Sequence, residues 1–365
     1  MMLKKQLLEL HAYSPGKSID EVKREYGLKK IVKLASNENP FGCSPKVPEA
    51  LTSLSGQFAL YPDGGAYELR KQVAAHLNVE PEQLLFGSGL DEVIQMLSRS
   101  ILSAGTNTVM AKPTFSQYRH HAVIENAEVR EVPLKDGTHD LEAMLSQIDK
   151  HTKIVWICNP NNPTGTYVNT KELEGFMAGV PKTTLVVMDE AYYEYATAED
   201  YPDTLSLLPN YENMVVLRTF SKAYGLASFR MGYAVGHASF ISRLQAGRLP
   251  FNTSSFAQAA AIAALKDQAF IEQCVTANKQ GLKRYYEFCK KHDINYYPSQ
   301  ANFIFMEVGD GNAVFQELLQ AGYIVRSGAG LGLPNGIRVT IGSQEENEEI
   351  IALLEKVVAK KENCL

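Results

Sequence analysis

The chain is poor in the features that announce disulfide, metal, membrane or nucleic-acid chemistry. Its five cysteines (Cys43, Cys158, Cys274, Cys289 and Cys364) are an odd number, widely separated and without a C-x-x-C pair. That removes the spacing of a zinc site or redox couple and leaves reduced thiols; no metal is expected. The start, Met1 to His11, has charges but no sustained apolar core, and no later run approaches a membrane span. Neither a secretory leader nor a bilayer segment is therefore expected. A basic excess is missing too: 36 Lys and Arg stand against 41 Asp and Glu, a formal charge of −5. Nothing in that balance points to nucleic acid, and a cytoplasmic protein is the expectation.

What is present is length and α/β alternation. At 365 residues, 45% of them hydrophobic, the chain can bury a large core and suggests two domains. Between about residues 80 and 236, apolar runs at 84–86, 108–111, 154–158, 185–188 and 214–217 alternate with helical patterns at 91–102, 141–148 and 170–177. Such runs predict a buried, mainly parallel sheet flanked by helices. Longer helices are expected at 257–265 and 270–291, then strands at 302–306, 323–326 and 337–341 and a final helix at 345–360. The expected fold class is α/β, with a large domain over 45–280 and a smaller α+β domain formed by 281–365 with the N-terminal arm 1–44. Beyond a short helix at 19–26 the arm reads as mobile and able to close over a site.

The densest chemistry follows the run 214–217, where Arg218-Thr219-Phe220-Ser221-Lys222 brings two hydroxyls and an amine to a strand's carboxyl end. Ligands of open α/β sheets bind at that edge. A lysine there can form a Schiff base with a carbonyl, and Arg230, eight positions on, can hold a phosphate with its planar fork. Together these groups suit pyridoxal phosphate. Gly87-Ser88-Gly89-Leu90-Asp91-Glu92 follows another strand and opens a helix, so it offers an anion site or simply an N-cap. Asn159-Pro160-Asn161-Asn162-Pro163-Thr164-Gly165 fixes an unusual turn whose amides can point into the same crevice. Asp189, closing the 185–188 run, can keep a pyridine nitrogen protonated, with the Tyr192 phenol three positions on. Phe115 can stack on such a ring, and Tyr61, in Tyr61-Pro62-Asp63-Gly64, can reach a phosphate. Each also has an ordinary structural reading, as a cap, core aromatic or turn.

In this order the five blocks Tyr-Pro-Asp-Gly, Gly-Ser-Gly, Asn-Asn-Pro-Thr-Gly, Asp-Glu-Ala-Tyr and Ser-Lys-x-x-Gly…Arg-x-Gly resemble the fold-type I pyridoxal phosphate transferases, over the whole chain. Within them, Leu34 to Gly42, Tyr13-Ser14-Pro15-Gly16 and Ile337 to Gly342 look like the histidinol-phosphate aminotransferase family. The resemblance implies Lys222 as Schiff-base lysine and proton shuttle, Asp189 at the ring nitrogen, Asn162 and Tyr192 at the ring oxygen, and Phe115 stacking where the family commonly has tyrosine. It implies Ser88, Gly89, Leu90, Thr219, Ser221 and Arg230 around the cofactor phosphate, with Tyr61 reaching it from a second subunit of a homodimer. Tyr13, Asn37, Arg326 and Arg338 would then bind substrate, the two arginines serving phosphate and carboxylate alternately. The implied reaction moves an amino group between L-histidinol phosphate and 2-oxoglutarate, in histidine biosynthesis. Three rivals remain: a threonine-phosphate decarboxylase, an aromatic amino acid aminotransferase, and a transcription regulator on the same fold, which would need an attached DNA-binding domain and fits the acidic charge poorly.

Overall fold

The computed structural model describes residues 3–8, 10 and 16–362, with side chains through residue 357. After β1 (Val32–Lys33) the chain lays down β2 (Leu84–Ser88), β3 (Asn107–Lys112), β4 (Glu128–Pro133), β5 (Thr152–Cys158), β6 (Leu185–Asp189), β7 (Met214–Thr219) and β8 (Met231–Gly236). These seven, β2 to β8, form one sheet in the order β2-β8-β7-β6-β5-β3-β4. All pairs are parallel except the two that β8 makes, which are antiparallel. The centre of the sheet is covered on both sides, which is why β6 and β7 are buried at every residue and are apolar up to their polar carboxyl ends. The pleat sends Val155 and Ile157 into one core, with Val186, Val216 and Phe176, and Ile154 and Trp156 into the opposite one, with Val187, Leu217 and Ile94.

Two strands of this sheet escape the sequence reading. At the sheet's edge, β4 has only Val132 buried, so it carries no apolar run. Two glycines within Met-Gly-Tyr-Ala-Val-Gly interrupt the pattern of β8. The missed β8 matters for function. Both β2 and β7 run antiparallel to it, so they point the same way and end at the same edge, while β8 begins there.

A second core gathers Leu282, Tyr285 and Phe288 of the helix Gln268–Lys291 with Ile304, Val339 and Leu354, and with Val32 and Leu34 from the N-terminal segment. Its strands are β9 (Phe303–Met306), β10 (Tyr323–Ile324), β11 (Arg326–Ser327) and β12 (Ile337–Thr340). The expected single strand at 323–326 divides: β10 pairs in parallel with β1, and β11 runs antiparallel to β12. The helix Ile19–Tyr26 forms as expected, opened by a capping box between Ser18 and Glu21 and closed by left-handed Gly27 at φ +66°. Past it, the arm departs from the mobile reading. Leu34 N donates to Ile324 O at 2.7 Å, and Leu34, Ala35 and Asn37 are buried, because β1 adds to β10.

Candidate active site

The carboxyl edge of the sheet opens on a cavity of about 410 Å³. It is walled by the strand ends Cys158, Asp189 and Thr219, and by Thr114, Phe115, Asn162, Tyr192, Ser221, Lys222 and Arg230 from the loops beyond. The second core contributes Arg326 and Arg338, and the N-terminal segment Ala35, Ser36 and Asn37. Residues from three separate stretches of chain thus meet at one volume.

Lys222 is part-buried and donates to Ser36 O at 3.0 Å, with its amine 5.7 Å from the centre of the Tyr192 ring. Desolvation first, then the Arg338 charge, lowers its pKa to about 8. About a tenth of the amine is then neutral at pH 7, against roughly three parts in ten thousand at an ordinary lysine pKa. Its loop is clamped from above by the N-terminal segment. Asn39 Nδ2 donates to Ala223 O at 2.8 Å, and Gly225, at φ +69°, lies so close to Gly42 that a Cβ would sit 1.8 Å from its carbonyl oxygen.

Asp189 is 3% exposed. Its Oδ2 accepts from the Tyr118 hydroxyl at 2.6 Å and its Oδ1 from Ala191 N at 3.2 Å. Burial nevertheless dominates and raises the carboxyl to about 6. Such a group gains from a cationic partner, which a protonated pyridine nitrogen provides. Tyr192 accepts from Asn37 Nδ2 at 2.9 Å, and burial holds its phenol protonated, well above the usual range.

The anion side is assembled from both sheet directions. Thr219 Oγ1 donates to Ser221 Oγ at 3.0 Å, and Arg230 precedes β8, so the reversed strand delivers its guanidinium to this edge. Arg230 Nη2 rests 3.3 Å from Asp91 Oδ2 at the start of the helix Gly89–Ile101. A Cβ on Gly89, which has φ +76°, would lie 2.4 Å from that same Nη2. The cradle is therefore shaped by a missing side chain, and together with the hydroxyls and the helix start it fits a phosphate.

Of the turn 159–165, only Asn162 faces the cavity, its Oδ1 accepting from Arg338 Nη1. Asn159 instead locks the turn, exchanging bonds with Val168 at 2.8 and 3.1 Å. Arg338 also donates to Ala35 O at 2.6 Å, and it sits directly across the β11–β12 ladder from Arg326. Two cations facing one another across strands repel, and an anion between them relieves that repulsion.

Among the other sequence candidates, Leu90 and Phe115 line the cavity, while Ser88 and Gly89 are not among its lining residues. Tyr61 is 80% exposed and stacks on Phe251 at 4.7 Å, away from this cavity. Tyr13 lies outside the described residues. Sequence reasoning missed Tyr118, Cys158, Thr114 and Ser36. Tyr118 carries no motif signal, and Ser36, although inside the Leu34 to Gly42 block, meets Lys222 through a backbone oxygen that no side-chain pattern announces.

Comparison with known proteins agrees with this geometry. The family model for aminotransferase class I and II matches residues 29–354. A histidinol-phosphate aminotransferase from Bacillus cytotoxicus is 67% identical over 359 residues, 98% of this chain and 97% of the relative. Another, from a Geobacillus species, is 60% identical over 363 residues, 99% of this chain and 100% of the relative. Among solved structures, histidinol-phosphate aminotransferase from Sinorhizobium meliloti, in complex with pyridoxal 5′-phosphate, superposes with a TM-score of 0.90 at 27% identity, covering 98% of both chains. The chain belongs to the class I and II aminotransferases, with the fold-type I architecture, in the branch of the histidinol-phosphate aminotransferases.

Proposed function

We propose that this enzyme transfers an amino group reversibly between L-histidinol phosphate and 2-oxoglutarate, in histidine biosynthesis, with pyridoxal 5′-phosphate as its cofactor. The observation that carries the reading is one cavity holding a depressed lysine, a raised buried carboxyl and three arginines, Arg230, Arg326 and Arg338. When bound, the cofactor supplies an electron sink that makes the substrate α-hydrogen acidic. Arg230, Thr219 and Ser221 hold its phosphate, beside the helix start at Gly89 and Leu90. Asp189, as carboxylate, holds the ring nitrogen's proton; Asn162 and Tyr192 face the ring oxygen, and Phe115 shields one face of the ring. Lys222 Nζ, neutral for a useful fraction of the time near pH 7, would take the proton from the substrate α-carbon and give it up two atoms away, beyond the nitrogen being transferred.

Arg326 and Arg338 hold the far end of the substrate, which is phosphate in one half-reaction and carboxylate in the other. A forked guanidinium serves either anion. Asn37 joins them, linking Tyr192 to Thr340 on β12 by bonds of 2.9 and 3.0 Å, and Tyr13 would complete the cover.

The working form we propose is a homodimer in which Tyr61 reaches the neighbouring cofactor phosphate. Supporting this, Phe58, Leu60 and Tyr67 near Tyr61 are 73, 70 and 71% exposed, more apolar surface than solvent favours in one place. We read residues 45–280 as the cofactor domain and 1–44 with 281–365 as the second unit, following the separate cores. The substrates are small metabolites and the location is cytoplasmic; among the described residues no helix is long and apolar enough to cross a membrane.

The test mixes the yellow, cofactor-loaded protein with L-histidinol phosphate alone. Loss of the yellow absorption, restored by 2-oxoglutarate, is expected, with much slower change for L-phenylalanine. No change with histidinol phosphate, but carbon dioxide released from L-threonine phosphate, would move the enzyme to the lyases.

A further inference from the structure

Tyr118 belongs to no motif, yet it is the residue against which Asp189 is built. Its ring is 0% exposed and lies flat on Trp156, with centroids 4.7 Å apart and planes 9° apart. Trp156 is braced in turn: its Nε1 donates to Thr108 Oγ1 at 2.9 Å, and that hydroxyl donates to Ile154 O at 2.8 Å. The rail Thr108–Trp156–Tyr118 therefore ties the hydroxyl to β3 and β5, in the middle of the sheet. On its other side Tyr118 meets Phe115 edge to face at 5.6 Å. One ring thus abuts both the carboxyl and the aromatic that border the cofactor side of the cavity.

We propose that Tyr118 is a positioning residue, whose hydroxyl, pinned by Trp156, holds Asp189 as an oriented carboxylate facing the ring nitrogen of the pyridine cofactor. The proposal rests on the cofactor reading above. The chemistry follows from proton count. A phenol has one proton to give, and it gives it to Asp189 Oδ2 at 2.6 Å only while that oxygen is free to accept. Burial and the neighbouring Asp189 raise the Tyr118 pKa well above the usual range, so the donor is permanently protonated. The other titratable groups around Asp189 work against its charge or leave it alone. Asp91 and Glu190 are acids that raise its pKa, the Cys158 thiol is itself pushed up to about 12, Tyr192 is a protonated phenol, and Lys222 bonds to Ser36 instead. Apart from Ala191 N, Tyr118 is the group whose hydrogen bond favours the carboxylate.

Removing the hydroxyl leaves Asp189 holding its proton to higher pH. A protonated cofactor nitrogen then meets a neutral acid, and one proton must leave for the pair to form. The penalty grows as pH falls and vanishes once Asp189 ionises unaided.

The chain's single tryptophan, Trp156, makes the test direct, because cofactor entering beside it changes its fluorescence. Full-length apoprotein, wild type and Tyr118→Phe, is titrated with pyridoxal phosphate at pH 6.5 and 8.5. Tyr118→Phe should bind roughly tenfold more weakly at pH 6.5 and within about twofold of wild type at pH 8.5. An unchanged affinity, or an equal loss at both pH values, overturns the positioning role. In the Asp189→Asn background, where no carboxylate needs the hydroxyl, Tyr118→Phe should change affinity by less than about twofold. A loss there as large as at pH 6.5 in the parent means that Tyr118 only fills space, and overturns the proposal. Failure of the wild-type protein to bind pyridoxal phosphate at any pH is a separate outcome, which overturns the cofactor reading itself.

Discussion

Asp189→Asn, made in the apoprotein, should stabilise the fold while abolishing activity. The buried carboxyl has its pKa raised from 3.8 to about 6, chiefly by desolvation. Because the folded pKa is the higher one, the folded state keeps this proton longer than the unfolded state does. Stability is therefore lost as pH climbs from 3.8 through 6 and levels off above. The difference of about 2 units corresponds to about 3 kcal/mol at pH 8, about half that at pH 5 and under about 1 kcal/mol at pH 4. Asparagine keeps an oxygen for Tyr118 and carries no charge, so it escapes the cost. For 365 residues, an unfolding entropy near 2 cal/mol/K per residue converts about 3 kcal/mol into a melting shift of about 4 °C. Calorimetry of both apoproteins at pH 8, 5 and 4 should show the gain shrinking in that order, and assays of the reloaded variant should show no turnover. A variant no more stable than wild type at pH 8, or a gain independent of pH, would refute the claim that Asp189 is a destabilised charge awaiting a cation.

Two further substitutions probe the frame around the cavity. Gly89→Ala forces an L-residue to φ +76° and puts a methyl 2.4 Å from Arg230 Nη2; a loss of about 1 kcal/mol in urea unfolding and roughly tenfold weaker cofactor binding are expected, the second because the guanidinium must move. Arg218→Met strands Glu190, which is 0% exposed, accepts from Arg218 Nε at 2.9 Å and directly follows Asp189. Breaking a buried pair from one side costs about 3–5 kcal/mol, so melting should fall by about 4–7 °C. Arg218→Met together with Glu190→Gln should recover part of that loss.

The sequence by itself determined whatever is local. Asp189 directly follows an apolar run, and Ser88, Asn162 and Lys222 come within five residues of the end of theirs, so each strand also announces the edge at which they emerge. The helix at 19–26 was legible for the same reason, since its cap, amphipathic turn and glycine stop are neighbours in sequence. Tertiary structure alone decided the rest. Arg230 reaches the site because β8 runs backwards, and β8 was illegible because its two glycines interrupt the apolar pattern. Tyr118 meets Asp189 across 71 residues, and Arg338 meets Asn162 across 176. Neither pairing leaves a trace in spacing. Burial, and with it the lowered lysine and the raised carboxyl, exists only once both cores have closed around the cavity, because desolvation belongs to the volume and to no single residue.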